Sequence, residues 1–120
     1  MSLQEFFHRY QAQFSALNTD GLVELFAVPF TAIFHGELTV WTDRDNLRET
    51  VACLLAWYRR QGFLSATHTL ADVLPMGPDA ATAVVEWTVS HSCTGLWRDQ
   101  TGYHLQRVNG EWRVYGLIQY

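Results

Sequence analysis

His91, Asp99 and Tyr103 are the residues of this chain whose types suit proton transfer, provided that strand geometry turns them to one face. An inward carboxylate diagonal to an inward histidine orients the imidazole and strengthens its hold on a proton, as a general acid or base requires. Tyr103 would add a phenolic donor. His68 is a fourth candidate, inward if its strand presents His68, Leu70 and Leu74 and outward if it presents Thr67, Thr69 and Val73. Around them Tyr10, Tyr58, Trp87 and Trp112 could wall an apolar cavity carrying a few phenol and indole donors, the usual makeup of a small-molecule site. His35, Trp41 and Tyr120 complete the ligand-binding candidates. Each has a plainer explanation too: aromatics pack on one another, and a histidine beside a loop is solvated.

Other chemistries are poorly served. The histidines at 8, 35, 68, 91 and 104 show no paired spacing, so neither a metal site nor a cofactor is expected. Cys93 near His91 has the residue types of a thiol nucleophile, but proximity two residues apart is a weak signal. No glycine-rich loop is present to cradle a phosphate. The formal net charge is −4, and the basic residues are eight scattered arginines with no lysine, which argues against nucleic acid as a partner. No apolar run approaches the roughly 18 residues of a membrane span, and no basic, then apolar, leader opens the chain. Cys53 and Cys93 are far apart and read as reduced, buried thiols of a cytoplasmic protein.

The elements that must position these residues follow from periodicity. Ser2 with Glu5 forms a capping box, and Leu3, Phe6, Phe7, Tyr10, Phe14 and Leu17 recur at helical spacing, predicting a first helix to about Leu17. Asn18-Thr19-Asp20 opens a short helix carrying Leu22, Leu25 and Phe26, which Pro29 stops. Phe30 to Phe34 and Leu38 to Trp41 predict a small hairpin about His35-Gly36. Thr42 with Asp45 opens a third helix with Leu47, Val51, Leu54, Leu55 and Tyr58 on one stripe, closed by Gly62. Strands are predicted over Ala66 to Leu74, Ala80 to Ser92, Trp97 to Val108 and Glu111 to Tyr120, with a turn at Pro75 to Asp79.

Strand parity then sorts the faces. Asn109-Gly110 suits a two-residue type I′ turn, pairing Val108 with Glu111, Arg107 with Trp112, Leu105 with Val114, Tyr103 with Gly116 and Thr101 with Ile118. A three-residue loop at Cys93-Thr94-Gly95 pairs Ser92 with Leu96 and Trp87 with Thr101, placing Val85, Trp87, Val89 and His91 on the face of Tyr103. It also stacks Asp99 with Val89 and Tyr120, one row from His91. Glycine opposite Tyr103 would leave a space in the middle of the sheet. An accessible space of roughly 300 Å³ or more reaching Tyr103 would favour a ligand site, and side chains closing it would favour a non-catalytic module.

The order helix, short helix, hairpin, long helix and long antiparallel sheet resembles the nuclear transport factor 2-like family, which includes ketosteroid isomerases, scytalone dehydratase and SnoaL-type cyclases. Its carriers are Tyr10 to Phe14, Asp20-Gly21-Leu22 through Leu25-Phe26, Trp41 through Leu47, and Tyr103 to Val114 with Gly110-Glu111-Trp112. The resemblance spans essentially all 120 residues. It implies one α+β domain, a cone of three N-terminal helices on a curved, mostly antiparallel sheet, enclosing a site for a small apolar or aromatic molecule. It also implies a homodimer through the outer sheet face, here Val84, Glu86, Thr88, His104 and Gln106 with Tyr115 and Leu117. Isomerase, cyclase or dehydratase chemistry is the expectation if the protein is an enzyme; a dimerisation or ligand-sensing module is the alternative. Catalytic residues do not transfer as a set: Phe30 to Gly36 holds no carboxylate where ketosteroid isomerases keep their base, although His35 lies nearest that place. Tyr10 is followed by Gln11 where scytalone dehydratase-like sites want an aspartate.

Overall fold

The computed structural model describes residues 2–93 and 95–119. Helix α1 spans Leu3–Ser15, and the Ser2 hydroxyl caps it by accepting from the Glu5 N–H at 3.1 Å. It ends before Leu17, whose φ of 51° is left-handed. Helix α2 covers Thr19–Val23, capped by Asn18. Strand β1, Phe26–Phe34, then begins four residues before the expected Phe30, so Leu25 and Phe26 are not helical. Arg44 accounts for the early helix end, because its guanidinium donates to the Val23 and Phe26 carbonyls, both at 3.0 Å. Pro29 falls inside β1, in the stretch between Phe26 and Thr31 where ladder pairing is interrupted.

His35 and Gly36, at φ 51° and 82°, turn β1 into β2, Glu37–Trp41. Helix α3 runs over Arg44–Arg60 with Asp43, not Thr42, as its cap, and Gly62 follows at φ 79°. A carboxylate at that position both caps and complements the positive end of the helix. Strands β3 (Phe63–Pro75), β4 (Ala80–His91), β5 (Gly95–Val108) and β6 (Glu111–Gln119) complete a curved sheet in the order β2-β1-β6-β5-β4-β3. Neighbours are antiparallel except β1 and β6.

Register is where the structure departs most from the sequence reading. The Asn109-Gly110 turn sets Val108 against Glu111 and Leu105 against Val114 as expected, but Tyr115 is then an extra residue. Beyond this bulge His104 faces Gly116, Tyr103 faces Leu117 and Thr101 faces Gln119. Leu117 and Gln119 therefore turn inward and Ile118 outward, the reverse of the expectation, because one inserted residue exchanges faces. Gly116 leaves no hollow beside Tyr103. A Cβ there would lie 3.0 Å from His104 Cδ2, so the glycine accommodates His104 on the outer face.

Between β4 and β5 the offset is two residues: Trp87 faces Asp99, Val85 faces Thr101 and His91 faces Gly95. An even shift preserves faces, and Val85, Trp87, Val89 and His91 are all buried. Strand β3 resolves its ambiguous phase by using both. A register break between Leu70 and Asp72 leaves Ala66, His68 and Leu70 inward on one side and Val73 inward on the other.

Helix α1 lies along β3, an edge strand, and satisfies its outer backbone. Ser15 Oγ donates to the Ala66 carbonyl at 2.9 Å and accepts from the Ala66 N–H, while Gln11 Oε1 accepts from the His68 N–H. That blocks further strand pairing at this edge. Phe6, Phe7 and Tyr10 of α1, Leu47 and Leu55 of α3, and Val85, Leu105 and Val114 of the sheet form the core between the layers.

Candidate functional site

Between α3 and the concave face of the sheet lies a cavity of about 410 Å³. Its floor is the Trp87–Tyr103 pair, in which the indole N–H donates to the buried phenol oxygen at 2.9 Å. These two reach each other because parity turns residues 87 and 103 to the same side, although Tyr103 is paired with Ala83. Tyr10 closes the floor, its ring centroid 5.5 Å from both others. On the β6 side, Thr101 Oγ1 donates to Gln119 Oε1 at 3.1 Å, an arrangement that exists only because the bulge turned Gln119 inward. Phe34, His35, Leu54 and Trp57 are exposed and border the cavity at its mouth.

Three phenols face this space, and each is held protonated. Burial raises Tyr103 to about 12, against the opposing influence of hydrogen bonds from Tyr10, Trp87 and Thr101. Burial, reinforced by the negative charge of Asp99, raises Tyr58 to about 12. Tyr10 is pushed well up, first by burial and then by Tyr103. The phenols are therefore donors, not bases, at neutral pH. The folded state keeps protons that an unfolded tyrosine releases near 10, so stability should fall as pH rises from about 10 to about 12. Denaturant midpoints across that window, compared with those of Tyr58→Phe, check this: the variant should show a shallower fall, and equal slopes would remove Tyr58 as a contributor.

The expected candidates divide. Tyr10, His35, Tyr58, Trp87, Asp99 and Tyr103 all border the cavity. His91 does not: it is buried, 3.7 Å centroid to centroid from Trp97 and stacked towards Tyr58, and neither ring nitrogen has a hydrogen-bond partner. No hydrogen bond joins it to Asp99, whose cross-strand neighbour is Trp87 and not Val89, so the expected diagonal pair is not formed. His68 faces inward beneath α1, its Nδ1 bonded to Gln11 Oε1, and also lies off the cavity. Burial, with help from His8, lowers its proton affinity.

Trp41 is a strut between β2 and α3, donating to Thr50 Oγ1 at 3.0 Å and packing on Phe30. Trp112 is buried at another place, beside Leu3 and Val73 and under the Arg107 guanidinium at 4.6 Å. Tyr120 lies outside the described residues. Cys53 and Cys93 are free thiols but exposed, not buried as expected. Sequence reasoning missed Trp57, Leu117 and Gln119 as lining residues. Trp57 follows Leu54 by three positions on α3 and could have been found by widening the apolar stripe, whereas the β6 pair depended on a bulge.

Among the described residues, no helix is long and apolar enough to cross a membrane. A comparison with curated proteins found no significant match. Solved structures share the fold at low identity. An NTF2-like protein of unknown function from Shewanella oneidensis is 12% identical with a TM-score of 0.78, covering 98% of this chain and 94% of that one. An NTF2-like protein with a cystatin-like fold from Novosphingobium aromaticivorans is 18% identical with a TM-score of 0.74, covering 98% and 77%. A protein of unknown function from Mycobacterium tuberculosis is 20% identical with a TM-score of 0.72, covering 98% and 68%. At such identities these likenesses bear on fold alone. The family description NTF2-like protein (DUF6841) matches residues 2–120, and the chain belongs to that NTF2-like family.

Proposed function

We propose that this protein binds a small apolar or aromatic molecule in the cavity above Trp87 and Tyr103. The observation that carries the reading is the space itself: about 410 Å³ reaches Tyr103, and the core aromatics leave it unfilled. That exceeds the roughly 300 Å³ at the lower end of small-molecule sites. Proton transfer, were the bound molecule to undergo it, would draw on Asp99 as acceptor and a phenol as donor. One observation favours binding or sensing without turnover: neither His68 nor His91 borders the cavity, so the proton-transfer set read from the sequence is not assembled there.

A thermal-shift screen of phenolic and carbonyl compounds tests this, since a ligand that binds only the native state raises the melting temperature. Hits should lose about three- to tenfold in affinity with Tyr103→Phe, consistent with loss of one buried hydrogen bond. A screen of several hundred such compounds without a hit would reject the pocket. Hits unaffected by the substitution would remove the donor role of Tyr103.

We also propose a homodimer through the outer sheet face, now without Leu117, which the bulge turns inward. Val84, Glu86, Thr88 and Gln106 with His104 and Tyr115 make that face mixed enough in polarity for an isologous contact. A monomer in sedimentation at micromolar concentration would reject this arrangement.

A further inference from the structure

The cavity wall has a charge asymmetry that narrows its ligand. Among the described residues that line it, Asp99 is the one acid and no arginine is present, and the chain has no lysine. The carboxylate is half-buried and has no cationic partner, since the ion pairs among the described residues are Arg48–Asp20 and Arg113–Glu111. Neighbouring Arg98, at the alternate position on β5, forms no ion pair with it. A carboxylate on a cavity wall without a counter-charge can accept a charge-assisted hydrogen bond from a ligand that supplies one.

The rings around it point the same way. Trp57 and Tyr58 meet edge-to-face with centroids 5.1 Å apart, forming a corner on α3, and Trp87 lies across the sheet from Asp99. The negative faces of aromatic rings attract organic cations, most strongly where water is displaced. The acidic balance of the chain favours approach of the same sign of ligand.

We propose that the cavity takes a small organic cation, a protonated or quaternary amine on an apolar or aromatic body, with its charge against Asp99 and its body against Trp57, Tyr58 and Trp87. This rests on the pocket reading above and adds the sign of the ligand. Anionic molecules of the same size are excluded by the same carboxylate.

The test compares phenyltrimethylammonium, its neutral isostere tert-butylbenzene and anionic benzoate on the full chain, by tryptophan fluorescence and amide chemical-shift mapping. The cation should bind about tenfold more tightly than the isostere, in line with one partly desolvated cation–π and charge contact. Benzoate should not bind. Asp99→Asn should remove most of the cation's advantage over the isostere, while Glu111→Gln, an exposed carboxylate elsewhere, should change nothing. Equal binding of cation and isostere to the unaltered chain, or an Asp99→Asn variant that keeps the preference, overturns the charge assignment alone. Failure of both the cation and the isostere to bind overturns this inference, and the pocket reading falls with it only where the phenolic and carbonyl screen is empty too. The comparison on the unaltered chain stands even if the variant does not fold.

Discussion

Replacing Trp87 with alanine is expected to cost about 3–5 kcal/mol of stability, a large share of what a domain of this size possesses. The indole is 4% exposed and packs with Tyr10, Phe14 and His68 at centroid distances of 5.5 Å. Removing it deletes a large apolar surface and also the donor to Tyr103 Oη. Because the residue forms the cavity floor, the void it leaves joins an existing space, and the surroundings have few atoms available to collapse into it. Trp87→Phe keeps one buried aromatic ring while losing the N–H and the remainder of the indole, and should cost less than the alanine variant, about 1–3 kcal/mol. Urea unfolding of both variants checks this. A loss under about 1 kcal/mol for the alanine variant would show that the indole is not central to the fold.

The second large effect is expected from deleting Tyr115. This residue is the bulge, and its removal would let β6 run on without a bend while residues 116–119 keep their β5 partners and their faces. Straightening β6 would displace the Leu117 and Gln119 wall of the cavity, and the parallel pairing of Thr31 with Gly116 through Phe34 with Gln119 would have to move. The cost should be about 2–3 kcal/mol, with any ligand affinity weakened. Tyr115→Ala is the matched control: the side chain is 38% exposed, so its loss should cost no more than about 1 kcal/mol. If deletion and substitution unfold at the same denaturant concentration, the bend that the bulge supplies does not contribute to stability.

These two residues mark how far the sequence reaches. Trp87 and Tyr103 could be assigned to one face from alternation and loop parity, and the assignment survived a register error of two, because an even shift leaves faces unchanged. The β6 assignment failed after Val114 because the shift there is odd. Nothing local marks Tyr115-Gly116 as a bulge, since glycine within a strand is equally compatible with a gap in the core. What the glycine accommodates is tertiary: Thr31 on the neighbouring strand and His104 occupy the space that a side chain at 116 would need. The helix-two boundary failed for a similar reason, as Arg44, eighteen residues beyond Phe26, supplies the donors at that helix end.

What the amino-acid order determined by itself is local and periodic: the Ser2 and Asn18 caps, the His35-Gly36 and Asn109-Gly110 turns, the stripe of α3, and thereby the NTF2-like α+β order. These follow from propensities and periods that act over a few residues. Tertiary structure alone decided which residues share the cavity. It moved His91 and His68 off it, brought Trp57, Leu117 and Gln119 to it, and left Asp99 there without a counter-charge. Such proximity depends on bulges and on the curvature of the sheet, which sum over every strand and cannot be read from any one of them.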